Sequence, residues 1–203
     1  HHNDIHWYSS GDRCVGSMAS INDLIIYLPG IPQEYWERYI YQITPTAPVI
    51  VQPQNTTSIF PSSILHKRGI VHFTYMTINS PDATLTLIVD GRTYSVTAQE
   101  IHDGGFSGLV ADNIPYIVVW NNSDNIYTFG WKPLEPFNND VVIQFTNTGT
   151  SPLIIKSFFV ELYIFNEGFY EQLSKLKYKA VIDEIKNLKV KLEGLSPIVT
   201  ELG

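Results

Sequence analysis

Four side chains at the start of the chain, His1, His2, Asp4 and His6, are of types that bind divalent metal ions, because neutral imidazole and carboxylate both donate to them. Terminal histidines equally fit a tag remnant or a frayed end, so no metal site is assigned there. His66, His72 and His102 are far apart in sequence, and none belongs to the paired-histidine helix of an H-E-x-x-H zinc site. Serines are plentiful, but no G-x-S-x-G elbow lifts one onto a strand-to-helix turn. Gly104-Gly105-Phe106-Ser107-Gly108 lacks the lysine and spacing of a phosphate loop and reads as a flexible turn. Asp103, Asp112 and Asp124 are calcium-type ligands, yet no D-x-D-x-D-G loop gathers them. The expectation is a protein with no catalytic residue and no cofactor; a hydrolase on a sandwich scaffold ranks last.

Trp7, Trp36, Trp120 and Trp131, with 12 tyrosines, offer flat faces that can stack on sugars, but in a β-protein such rings serve first as core and interface. Asn55-Thr56-Thr57 and Asn121-Asn122-Ser123 match the glycosylation tripeptide, a pattern that also arises by chance. Cys14 is the single cysteine, so neither an intramolecular disulfide nor a cysteine-based zinc site can be built. The chain does not begin with Met, which fits a fragment, a processed product or a tagged chain.

Charge is low at 16% of residues and unevenly placed. Up to Tyr170 there are seven basic and 15 acidic residues, near −8, whereas from Glu171 onward six basic face five acidic ones, near +1. A body this acidic repels a phosphate backbone, so nucleic-acid binding is not expected. No membrane span is expected either: residues 24–28 are too short, and the apolar run 153–165 is interrupted by Lys156 and Glu161.

Residues 1–65 hold Pro29, Pro32, Pro45, Pro48, Pro53 and Pro61, half of the 12 prolines. Residues 21–28 read as a strand and 33–43 as a short helix after Pro32. The Pro/Thr/Asn-rich stretch 44–63 reads as an extended arm lying over another surface.

Regular β signals follow from 66 to 166. Residues 70–76 form a strand candidate, and 79–82 a turn. Asp90-Gly91 between 84–89 and 92–97 predicts a type I′ hairpin pairing Val89 with Arg92, Leu87 with Tyr94 and Leu85 with Val96. Thr97-Ala98-Gln99-Glu100 fits a capping box, with Gly104-Gly105 stopping that helix within two turns. Strands are expected at 116–120, 126–131 and 141–146. The run 153–165, apolar on both faces, suggests a central strand. Roughly eight strands predict a mainly β fold, an antiparallel β-sandwich with a jelly roll as one topology.

Residues 167–203 hold one amphipathic helix and a tail. Phe169, Leu173, Leu176 and Ala180 form one apolar series; Val181, Ile185, Leu188, Leu192 and Leu195 form a second, offset by one residue. Either the helix packs on its own sandwich, or it projects and associates through Leu173, Leu176, Ile185, Leu188 and Leu192 while its lysines face solvent or an acidic neighbour.

Four features of the β region, His66-Lys67-Arg68-Gly69, the Ser80-Pro81-Asp82-Ala83-Thr84 turn, the Val89-Asp90-Gly91-Arg92 hairpin and the closing strand pair of 147–165, resemble β-sandwich structural proteins of virus particles, notably tail, nozzle or capsid-associated proteins of archaeal viruses and phages. The resemblance covers about half of the chain. It implies a repeated subunit of a virion, partnered by copies of itself and other virion proteins, with no cofactor. The alternative is an extracellular carbohydrate-binding module or adhesin with aromatics exposed on one face.

Overall fold

The computed structural model describes residues 21–60, 66–108 and 112–202. Among the described residues, eleven strands form two antiparallel sheets packed face to face, with a long helix leaving one end. The hairpin predicted at Asp90-Gly91 joins β5 (Thr84–Val89) to β6 (Arg92–Thr97). Its register pairs Val89 with Arg92, Leu87 with Tyr94 and Leu85 with Val96, as the alternation requires. Asp90 and Gly91 both have positive φ, 50° and 85°, which a type I′ turn demands. Thr97 caps α2 (Ala98–Asp103) through a complete capping box.

The larger sheet is built around β11 (Leu153–Phe165) and β4 (Arg68–Ile78), which lie side by side. Both are too long for a single neighbour. β1 (Trp36–Ile43) pairs with residues 158–165 of β11, and β2 (Val49–Val51) takes residues 153–155 of the same edge. On the other side, β8 (Ile126–Trp131) pairs with residues 74–78 of β4 and β9 (Glu135–Phe137) with residues 69–71. β7 (Tyr116–Asn121) completes the sheet against β8. The smaller sheet has the order β3 (Thr56–Ser58), β10 (Val141–Thr146), β5, β6. The sheets make the antiparallel sandwich expected from the sequence, with seven and four strands among the described residues where roughly eight in all were expected.

Between the sheets, Met76, Phe129, Phe158 and Val160 of the larger meet Leu85, Leu87, Ile143 and Phe145 of the smaller, all at most 2% exposed. Phe145 and Phe158 meet edge to face across the gap at 6.3 Å, the favoured geometry for two aromatic quadrupoles. Gly69 admits no larger residue: a Cβ there would lie 1.9 Å from the Tyr163 carbonyl oxygen and 2.8 Å from the Phe137 ring.

The region before residue 66 differs from the expectation. Residues 21–27 are helical, α1 (Ile21–Tyr27), continued by a 3-10 turn at Leu28–Gly30. Leu24 and Leu28, four positions apart, fall on one face and are buried there with Ile31, a helical spacing that outweighs the β-branched composition. Residues 36–43 are strand, not helix, because Trp36, Tyr39, Ile40 and Tyr41 suit a pleated surface and the edge of β11 requires a partner. The stretch read as an arm instead contributes β2 to one sheet and β3 to the other. Pro45, Pro48 and Pro53 all fall outside those strands, where no ladder donor is required. Described residues 36–60 therefore belong to the sandwich. Residues 61–63 of that stretch, and His1, His2, Asp4, His6, Trp7 and Cys14, lie outside the described residues.

Candidate functional site

The last strand turns into the helix α3 (Phe169–Leu202) at Gly168, whose φ of 88° suits only glycine readily. Phe165 and Phe169 stack with parallel rings 3.8 Å apart, and Tyr170 stands edge-on to both. Leu24, Leu28, Ile31 and Ile70 close over this pair together with Leu173, making a second core outside the sandwich. Leu176 packs at its rim against Gly30, where a Cβ would sit 3.0 Å from the leucine Cδ1. The ammonium of Lys177 lies 5.8 Å from the centre of the Tyr27 ring. These contacts clamp the first two turns.

Beyond them the helix leaves the body. Tyr178 is 69% exposed, Val181 55%, Ile185 54%, Leu188 52% and Leu195 54%. The structure thus divides the five residues singled out from the sequence. Leu173 is buried and Leu176 half-buried against the chain's own α1 and 3-10 turn, whereas Ile185, Leu188 and Leu192 are exposed. Helical geometry explains the division. Ile185 follows Leu173, and Leu188 follows Leu176, by 12 positions; at 3.6 residues per turn each is rotated by about 120° from the docked face. The one-residue offset between the two series turns the second away from the sandwich.

Glu161 points outward from β11 with its side chain 8% exposed. Arg38 of β1 donates through Nε to one carboxylate oxygen, and His72 of β4 donates through Nδ1 to the other. His72 occupies the bulge where the β4–β11 register shifts, which aims its ring across the strand. Burial alone would raise the Glu161 carboxyl, but the hydrogen bonds from His72 and Arg38 outweigh it and hold the group below the usual carboxylate range. Burial, then the Glu161 charge, push the neighbouring Tyr163 hydroxyl up. A carboxylate held ionised between two donors is a poor proton donor near neutrality, so the arrangement fastens three strands together.

Glu135 is the second buried acid, its side chain 1% exposed. It accepts from Arg92 Nε at 3.1 Å and from the Tyr94 hydroxyl at 2.7 Å, and Arg92 also donates to the Pro136 carbonyl at 2.8 Å. Burial first, and Glu135 second, push the Tyr94 hydroxyl far up. This cluster ties the hairpin to β9. In sequence reasoning Glu161 figured only as a break in an apolar run and Glu135 not at all. The available signal was an acid embedded in an apolar strand, since a buried carboxylate requires cationic or donor partners.

The other residues considered from the sequence stay apart. His66 meets Asn139, His72 meets Glu161, and His102 stacks on Trp120 at 3.9 Å. Asp103 accepts from Gln99, Asp124 from Asn121, and Asp112 lies 3.9 Å from Lys132. No group of three or more His, Cys, Asp or Glu among the described residues is placed to hold a metal ion. Among them, too, no helix is long and apolar enough to cross a membrane. Trp131 is buried and the indole of Trp36 donates to the Ile31 carbonyl, so these rings are structural. Phe73, Tyr75 and Phe159, half-buried on the outer face of the larger sheet, form a small aromatic patch with centroids 6.1–6.3 Å apart. Compared with known proteins, the chain matches no protein-family model and no curated protein.

Proposed function

We propose that this chain is a structural subunit of an assembly, a tail, nozzle or shell component of a viral particle, whose contacts to copies of itself and to other virion proteins include α3. The observation that carries the reading is the exposed apolar seam at Tyr178, Val181, Ile185, Leu188 and Leu195, on a helix clamped at one end and extended from the body. An apolar stripe on a solitary helix is marginal in water and gains by being covered. The virion setting is supported by the resemblance of the β region to virion sandwich proteins, and a place in the particle is part of the same proposal.

Light scattering of the full chain after size exclusion tests the assembly reading. A discrete oligomer at micromolar concentration is expected; a 23.0 kDa monomer throughout would refute it. The second reading, an extracellular carbohydrate-binding module or adhesin, draws on the Phe73, Tyr75 and Phe159 patch. It predicts a monomer whose binding to a glycan array is lost on Tyr75→Ala.

A further inference from the structure

We infer that α3 pairs with α3 of a second copy as a parallel, two-stranded coiled coil in one defined register. This rests on the assembly reading and names its geometry. Of the exposed apolar residues from Tyr178 onward, all but Val190, which falls at an outer f position, follow one another in steps of three and four. Tyr178, Ile185 and Leu192 take the a positions of a heptad, and Val181, Leu188 and Leu195 the d positions. Isoleucine at a with leucine at the following d favours two parallel strands, because each side-chain shape fits the packing angle of its layer.

The flanking charges agree with that register. In a parallel pair a g residue faces the e residue five positions later on the other helix. Glu184 at g then faces Lys189 at e, and the symmetry makes the pair twice. Lys177 at g falls opposite the uncharged Ile182 at e, so it meets no lysine across the seam. The fold also leaves room. Leu173 and Leu176 fasten the sandwich to a face about 120° from the seam, so two sandwiches at the same end of the pair stand away from the joint. An antiparallel pair would instead set Glu184 beside Lys191 and Leu195 beside Tyr178.

Charge exchange in the full chain tests the register. Glu184→Lys and Lys189→Glu each place like charges face to face, and each variant alone is expected to self-associate roughly fivefold more weakly at low salt. Mixed in equal amounts, they restore both attractions only in the parallel register, so with one variant uniformly nitrogen-15 labelled to separate the masses, native mass spectrometry should show mainly the mixed dimer. A second variant, Leu195→Cys in a Cys14→Ser background, should give a disulfide-linked dimer under mild oxidation. An unselective mixture, no Leu195→Cys crosslink, or a trimer by light scattering would overturn the parallel two-stranded pair while leaving assembly standing. A wild-type chain that stays monomeric would overturn both.

Discussion

Replacing Ile185 and Leu188 with aspartate separates the two halves of α3 energetically. The residues are 54% and 52% exposed in the single chain, so about half of each side chain remains to be covered. Full burial of such a side chain is worth about 1.5–3 kcal/mol, which leaves about 0.8–1.5 kcal/mol for each half. Two positions on two helices amount to roughly 3–6 kcal/mol of association free energy. The aspartates add the cost of bringing carboxylates into an apolar seam. Association of Ile185→Asp/Leu188→Asp should therefore weaken by at least about a hundredfold, read by sedimentation equilibrium. Thermal unfolding of the sandwich, followed on the variant and the wild type as monomers, should agree within about 0.5 kcal/mol, because neither residue lies in the clamped segment. Leu173→Asp should behave in the opposite way: at 2% exposure it sits in the core shared with Phe165 and Phe169, so the body itself should lose stability. If Ile185→Asp/Leu188→Asp unfolds the sandwich and leaves the oligomer intact, the seam is an intramolecular cover and the reasoning fails.

Three further outcomes follow from the packing. Glu161 titrates lower in the folded chain than its ordinary value of 4.5, so its contribution is complete above that value and is lost as pH falls below it; Glu161→Gln should flatten the acid limb of a melting-temperature profile, and an unchanged limb would count against the Arg38–Glu161–His72 cluster as its source. Asp90 accepts backbone N–H groups of Asn138, Asn139 and Asp140 at 2.7–2.9 Å, tying the hairpin tip to the next loop; Asp90→Ala should cost about 2 kcal/mol in denaturant unfolding, with Asp90→Asn between it and wild type. Gly69→Ala sets a methyl against the Tyr163 carbonyl and should cost about 3 kcal/mol or leave the chain unfolded, so a wild-type melting curve would refute the close approach.

The parts of the fold legible in the sequence are those set by local rules. Asp90-Gly91 demands positive φ at both positions, which decides the hairpin and, through alternation, every cross-strand pair along it. The capping box of α2 is equally local. Misreadings concentrate before residue 66, where tertiary partners decide. Residues 36–43 become strand because β11 presents an open edge, and Val49–Val51 becomes strand because β1 ends before β11 does. Neither edge exists in the sequence of the segment itself. The site divides along the same line. That Glu161 is buried follows from its apolar neighbours, but Arg38 and His72 lie 123 and 89 positions away, and only the strand order brings them to it.

Both apolar series of α3 are legible by spacing; which one the body covers is not. That choice is made by α1 and the 3-10 turn after it, whose Leu24 and Leu28 meet Phe169 and Leu173 and so claim the first series for the chain's own core. The one-residue offset at Ala180-Val181, which reads as an imperfection if a single seam is sought, then acquires a purpose. An unbroken stripe would put the whole apolar face of the helix toward its own sandwich. The offset rotates the distal part by about 120°, so that one helix serves two surfaces, the first inside the subunit and the second facing away from it. Deletion of Ala180 would turn the distal seam by about 100° about the helix axis without touching the clamped turns. Folding should survive and the native assembly should be lost, in contrast to a heptad insertion at the same point, which turns the seam by only about 20° and should keep both.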